Sequence, residues 1–395
     1  MRILYVWDAD YPWDVRVDKI CRTLSRAGHE VHIASRNLRR RSTYENVDGV
    51  HVHRLHAWPG ERINYFFSFP LFCSPIWLRF LSGIVRQSSI DLIIVRDLPL
   101  AIGGIWTGAA ARIPVILDMA EDYVAMVRDI WRARKFQGLN MIVRNPWLAK
   151  QVERYTFRKI DEVLVVVDEA ADVVRKEGVP TQNITIVGNT PERDPRNSEE
   201  ATVALDELEA IKDKFSVVYT GGIQLGRGLQ VVFEAIPRIV TRVPNFLFVV
   251  IGDGYAGQQL KREIHNRGID EYVLWLGWKP HQEMLRYIQA CRVGVVPHYT
   301  SEHVNSTIPN KIFDYMAAGL PVIVSDAPPM RRVVEQEACG RSFCSGDPEA
   351  LFEALMDVRA REVEFGENGR RAVIERYNWD VDGRRLVSLI SKYEK

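Results

Sequence analysis

The sequence predicts an α/β protein built as two halves, each a parallel sheet with helices on both faces. Three observations predict it. Short apolar runs bounded by turn residues alternate with segments of helical period along the chain. The rhythm breaks over residues 190–200, rich in Pro, Arg and acidic side chains, and then begins again, as expected of an interdomain linker. At 395 residues, 47% of them hydrophobic, the chain is long enough to bury two cores.

In the first half, residues 3–6 read as an opening strand and 7–14 as a polar loop. Residues 15–27 carry Val17, Ile20 and Leu24 at helical spacing and end at Gly28. Apolar runs at 30–34, 91–95, 114–117, 164–167 and 184–187 have the composition of buried parallel strands. In the second half, strands at 216–219, 246–251, 273–276, 293–296 and 322–324 alternate with helices such as 229–241 and 256–267. A terminal helix is expected over 381–393. Ligands of such domains sit at the carboxyl ends of the strands, so the natural site is the cleft between the halves.

The net charge of +1 argues against a bulk nucleic-acid binder. The charge is uneven. Lys and Arg exceed Asp and Glu by five over residues 1–190, and the acidic residues lead by four over the remainder. Cys21, Cys73, Cys291, Cys339 and Cys344 are odd in number and lack metal-ligand spacing. They read as reduced thiols of a cytoplasmic protein. Met1-Arg2 leads directly into the first strand, so no signal peptide is expected.

The densest stretch is residues 305–326. Pro309-Asn310 closes a small-polar loop, Lys311 falls in the first turn of a helix, and Asp314 follows one turn later. Gly319 stops the helix and Pro321 begins a buried strand. A helix start of this kind suits an anion such as a diphosphate, with Lys311 as a point charge and Asp314 as an acceptor for a sugar diol. An ordinary helix start in an α/β domain fits the same spacing.

The order of motifs resembles glycosyltransferase family 4, retaining nucleotide-sugar enzymes of the GT-B fold. The resemblance rests on Arg16 ahead of the helix ending Ala27-Gly28-His29-Glu30-Val31, on Asp118-Met119-Ala120-Glu121, and on the run from Gly221 to Gly228. Gly252-Asp253-Gly254, Gly277-Trp278 and the Pro-Asn-Lys segment at 309–311 complete it, the last similar to enzymes of surface-polysaccharide assembly. The resemblance implies two Rossmann-like domains facing each other across a cleft: an acceptor domain over 1–195, with 377–395 crossing back onto it, and a donor domain over 196–376.

Carried over residue by residue, the resemblance is uneven. The carboxylate that holds the nucleotide ribose falls on Asp314, and the one facing the transferred sugar falls on Ser306, which carries no charge. The cation pair for the diphosphate falls on Gly222 and Arg227, so one cation is missing, and Lys311 is expected to replace it. Thr307, Asn310, Gly252, Gly254 and Trp278 complete the expected donor site. Arg16, Asp97, Asp118 and Glu121 are expected on the acceptor side, where the histidine usual between Asp118 and Glu121 is Ala120. Glu121 either orients the acceptor hydroxyl or caps a helix, and Asp97 is equally readable as a helix cap.

The chemistry implied is hexosyl-type transfer with retention and no protein nucleophile. Arg227 and Lys311 would stabilise charge growing on the leaving diphosphate, and Glu121 would act on the acceptor. Those two cations and the helix start are expected to do this without a metal; the donor is a UDP- or GDP-sugar and there is no other cofactor. Residues 63–85 are apolar and aromatic. Pro70, Pro75 and Arg79 speak against a transmembrane helix and favour a partly buried one at a membrane surface. Residues 128–159 interleave basic residues, among them Arg134 and Lys135, with Trp131, Phe136, Trp147 and Tyr155. A solvated helix face and simple core are the plain alternatives; an anionic inner membrane face and a polyprenyl-diphosphate-linked or glycan acceptor are the functional ones. Three other classes stay open: a nucleotide-sugar epimerase, a catalytically silent partner protein, and an NAD-dependent oxidoreductase, at which Gly252-Asp253-Gly254 after a strand hints.

Overall fold

A computed structural model describes residues 1–12, 14–133, 138–192 and 205–394, without the side chains of 133, 205 and 206. The chain divides into two compact units, one of residues 1–189 with 382–395 and one of residues 190–381. Arg134, Lys135, Phe136 and residues 193–200 of the expected linker lie outside the described residues.

The first unit holds an eight-stranded sheet. Its strands are β1 (Arg2–Val6), β2 (Glu30–Ser35), β3 (Tyr44–Val47), β4 (Val50–Arg54), β5 (Leu92–Arg96), β6 (Val115–Met119), β7 (Glu162–Val165) and β8 (Ile184–Ile186). They lie in the order β3-β4-β2-β1-β5-β6-β7-β8, parallel except where β3 meets β4. β1, β5 and β6 are buried from end to end or nearly so, which is why their sequences are continuous apolar runs rather than alternations.

The β3–β4 hairpin was not expected from the sequence. β4 alternates buried and partly open positions, β3 alternates exposed and partly open ones, and the turn is Asp48-Gly49, both at positive φ (50° and 85°). That is the pattern of a two-residue hairpin loop, and the Asp-Gly pair was its sequence signal. The apolar run 63–85 also differs from expectation. It forms two helices, Glu61–Phe67 and Pro75–Gln87, separated by a turn that buries Phe69 and Phe72. Pro75 enters the second helix at its first turn, where a missing N–H costs nothing. Trp77, Leu81, Ile84 and Val85 face inward, while Ile63, Tyr65, Phe66 and Phe67 of the first helix are exposed. Among the described residues, no helix is long and apolar enough to cross a membrane.

The second unit holds six parallel strands: β9 (Phe215–Thr220), β10 (Phe246–Ile251), β11 (Val273–Gly277), β12 (Val293–Val296), β13 (Val322–Ser325) and β14 (Gly340–Phe343). Their order is β11-β10-β9-β12-β13-β14. Helix Leu229–Arg242 lays Leu229, Val232, Phe233, Ile236 and Ile239 on this sheet, with Phe233 edge-on to Phe248 at 6.0 Å. Each such side chain, fully buried, contributes about 1.5–3 kcal/mol to stability.

Helix Trp379–Ser391 spans the second division of the chain. Beyond it, Lys392 reaches Glu162 at 3.9 Å and Glu394 reaches His29 at 3.8 Å, both in the first unit. Apart from the β3–β4 hairpin at the edge of the first sheet, the strand order reverses once in each sheet, between β1 and β5 and between β9 and β12. Loops splay apart at such points, and that is where doubly wound sheets receive ligands.

Candidate active site

In the second unit, three glycine-rich loops leave the carboxyl ends of β9, β10 and β11 and are joined by backbone hydrogen bonds. Gly221 N–H donates to Ile251 O at 2.9 Å, Gly252 N–H to Gly277 O at 2.7 Å, and Ile223 N–H to Asp253 O at 2.9 Å. Gly252 sits at φ +143°, and a Cβ there would stand 1.9 Å from Gly221 O, so only glycine fits. Gly228, at φ +69°, comes as close to Pro297 O: a Cβ would stand at 1.8 Å. This approach presses the short turn Leu225–Arg227 onto the exit of β12 and brings Arg227 beside His298.

Arg227 and Lys311 do come together. Lys311 is the first residue of helix Lys311–Ala317, and Asp314 lies in the same first turn, as the spacing predicts. The Lys311 Nζ stands 3.8 Å from the centre of the Tyr219 ring and 3.1 Å from where a Cβ on Gly221 would be. It fills space beside Gly221-Gly222, the position of the missing cation. Burial, and then Arg227, push the Lys311 ammonium well below the ordinary lysine value, with Asp314 working the other way. Tyr219 steadies the loop, its OH donating to Gly222 O at 2.9 Å.

His298 was not found from the sequence. It is 1% exposed, and its Nδ1 lies 3.3 Å from Arg227 Nη1. Burial, then Lys311, Arg227 and His303, hold its pKa far below the usual histidine value, so the ring is neutral. A lone histidine in a loop carries no sequence signal; only its burial does. Other expected donor residues stand differently. The Ser306 hydroxyl donates to Glu302 O and His303 O at 3.2 and 3.1 Å, closing its own turn. Ser306 is 2% exposed and does not present its hydroxyl to a ligand, a correction to the expected sugar contact. Trp278 follows β11 and is 71% exposed. Thr307 and Asn310 flank the start of the Lys311 helix, Asn310 without a side-chain cap. Among the described residues, no group of three or more His, Cys, Asp or Glu is placed to hold a metal ion.

In the first unit, Asp14 caps helix Val15–Arg26, accepting from the N–H groups of Arg16 and Val17. The cap sets Arg16 in the first turn, pointing into the sheet. Its guanidinium donates to Asp118 Oδ1 through Nη2 at 2.7 Å and Nε at 3.1 Å, and through Nη1 to Val187 O and Gly188 O at 2.9 Å each. Tyr5 OH donates to Asp118 Oδ2 at 2.6 Å, and Arg96 Nη1 lies 3.4 Å from the same oxygen. Burial alone would raise the Asp118 pKa, but Arg16, Arg96 and the hydrogen bonds outweigh it and hold the carboxylate low. Arg16 and Asp118 are 1% and 0% exposed. They tie the ends of β1, β6 and β8 together and do not reach an acceptor, which corrects the expectation for both.

Asp97 does face an opening. It sits at φ +52° just past β5, accepts from Ala120 N–H at 3.1 Å, and pairs with Arg96 Nε at 3.0 Å. Burial pushes its carboxyl up to about 7, the nearby Glu121 and Asp118 adding to the rise against Arg96. The helix after it begins at Ala101 with no side-chain cap, so the cap reading of Asp97 falls. Asp97, Glu121 and Glu153 line one small pocket with Leu98, Tyr123 and Phe157. Burial raises Glu153 to about 7 as well, in spite of Lys150. Asp122, not Glu121, caps helix Tyr123–Ala133, accepting from Ala125 N–H at 2.9 Å. Glu121 is left exposed at the pocket's rim.

With this geometry in place, comparison with known proteins is decisive for the family. Residues 14–190 match the model of a glycosyl transferase 4-like domain, and residues 214–360 match that of glycosyl transferases group 1. The chain belongs to glycosyltransferase family 4. The amylovoran biosynthesis glycosyltransferase AmsK of Erwinia amylovora is 24% identical over 221 residues, 54% of this chain and 52% of that protein. The chain thus spans about half the length of that curated relative. Sucrose-phosphate synthase from Thermosynechococcus elongatus superposes with a TM-score of 0.77 at 17% identity, over 99% of this chain and 98% of that one. Anabaena HepE in complex with UDP-glucose gives 0.69 at 14% identity, over 99% and 100%. At these identities the structures show the fold alone, and it is GT-B.

Proposed function

We propose that the chain is a retaining glycosyltransferase that moves a hexose from a UDP- or GDP-sugar to a glycan or lipid-linked acceptor in polysaccharide, O-antigen or capsule assembly. The observation that carries it is the gathering of Arg227 and Lys311 at the β9–β12 reversal, beside glycine loops that bring backbone close to a ligand. The relative named for amylovoran biosynthesis and the fold shared with a UDP-glucose complex support the same reading.

The diphosphate lies against Lys311 and Arg227. Its negative charge favours the Lys311 ammonium, which burial and Arg227 disfavour in the free chain. As the sugar leaves, the same cations hold the charge that grows on the diphosphate, without a metal. Asp314 takes the ribose diol. In the other unit, Asp97, with a carboxyl near 7, is tuned to accept a proton from an acceptor hydroxyl at neutral pH, with Glu121 beside it to orient the sugar. The exposed Ile63, Tyr65, Phe66, Met141, Ile142 and Trp147, set among basic residues, support docking on an anionic membrane face where a polyprenyl-linked acceptor is held.

A melting-temperature panel of UDP, GDP, ADP and their sugars tests the donor. One of them raises the midpoint, by the equivalent of about 2.7 kcal/mol at a hundred times its Kd. No shift with any of them sinks the proposal. Flotation with anionic against neutral liposomes tests the membrane; recovery only in the soluble fraction removes that part.

A further inference from the structure

His298 stands at the junction of the two loops that form the second unit's ligand site, next after Pro297 and directly beside Arg227. A guanidinium only donates hydrogen bonds. The His298 Nδ1 facing it therefore holds the lone pair, and the proton of the neutral ring is on Nε2. That Nε2–H is buried and finds no partner among the described residues. A buried donor left unmet costs about 1–3 kcal/mol, and native proteins retain few such groups without a use for them. The groups acting on this ring are Lys311, Arg227 and His303, with no carboxylate among them. What the ring lacks is an acceptor, and an anion would supply one.

We propose that His298 is the third donor to the nucleotide diphosphate, giving its Nε2–H to a phosphate oxygen while its Nδ1 aims Arg227 at the same group. The assignment rests on the nucleotide-sugar reading of this site. In the free chain Nε2 is closed off from solvent, so the phosphate reaches it only as neighbouring side chains move aside. The ring then holds one tautomer before and after binding, which avoids a reorganisation step. Because the ring is neutral, it adds a hydrogen bond without adding a third repelling cation beside Arg227 and Lys311.

The test is calorimetric titration of UDP, GDP, inorganic pyrophosphate and the free nucleosides into wild type, His298→Phe and His298→Gln. His298→Phe keeps the ring volume and loses both nitrogens. It is expected to bind the preferred nucleoside diphosphate about ten- to a hundredfold more weakly, as for loss of a hydrogen bond to a charged group, with nucleoside affinity unchanged. His298→Gln restores an N–H donor near the place of Nε2 and recovers most of the loss. Nitrogen-15 spectra of wild type show the Nε2–H tautomer throughout, with the Nε2 proton moving downfield on adding UDP or GDP. Equal diphosphate affinity in wild type and His298→Phe overturns the inference while leaving the donor site standing. Equal losses for nucleoside and diphosphate also overturn it, since the ring is then only structural. If wild type binds no nucleoside diphosphate at all, the proposed function itself falls.

Discussion

At the β1–β5 reversal of the first unit, two arginines and two aspartates meet and satisfy one another: Arg16 with Asp118, and Arg96 with both Asp118 and Asp97. At the β9–β12 reversal of the second, Arg227 and Lys311 gather with a neutral histidine and a single carboxylate, Asp314, acting on the lysine. The topology is the same and the charge is opposite in outcome. One junction is closed by its own ion pairs and works as a fastener. The other carries positive charge that folding alone leaves poorly compensated, as shown by the depressed Lys311. A fastener loses stability when cut; the proposed binding site would lose affinity and keep its stability.

Three substitutions press on that contrast. Asp118→Ala leaves Arg16 buried without its carboxylate and is expected to cost about 3–5 kcal/mol in denaturant unfolding. A loss under about 1 kcal/mol would mean that the pairs are not what closes the first unit. Lys311→Met should act in the reverse sense. The donor KM rises about ten- to a hundredfold, as expected for loss of a charge-assisted phosphate contact, while the melting temperature holds or rises because a disfavoured buried ammonium is gone. A fall in melting temperature with an unchanged KM would make Lys311 structural.

The smallest effect is pH-dependent and belongs to Asp97, the one member of the first junction that faces a pocket. Its folded pKa, near 7, lies above its unfolded value, so the folded state holds the proton more tightly. Its contribution is therefore full below about pH 4 and is lost as pH rises through 7. Asp97→Asn should be stabilised relative to wild type at pH 8 and not at pH 4, by about 1 kcal/mol after allowing for partial solvent screening. Identical pH profiles for the two proteins would remove the raised carboxyl, and with it the reason to place the acceptor there.

Much of the fold was legible because parallel strands buried on both faces leave continuous apolar runs; β10 and β12 carry that signature from end to end. β14 escaped because Gly-Arg-Ser-Phe is short and half polar, its place fixed by pairing with β13 rather than by its own composition. The apolar run 63–85 misled in the other direction: hydrophobicity tells that a segment is covered or covering, not by what. Arg227 and Lys311, expected from the sequence as charges near glycine-rich loops, are brought close to each other by the fold. Arg16 and Asp118 looked equally functional in sequence, because a buried ion pair and a ligand contact use the same residue types. Only their mutual distance and lack of exposure separate the two roles. His298 lay hidden for the complementary reason, a single residue whose meaning comes from an unmet hydrogen bond.

The joined loops of the second unit carry one more consequence. Gly221 is bound to Ile251, Gly252 to Gly277 and Ile223 to Asp253 through main-chain atoms, and those bonds do not depend on which side chains surround them. The cradle can therefore keep its shape while Trp278, Asn310 or Thr307 changes. Under the proposed function, such a scaffold lets a lineage rewrite its preference for base or sugar by single substitutions without first passing through an unstable intermediate. Divergence in donor choice among relatives with the same backbone is the history this arrangement would leave.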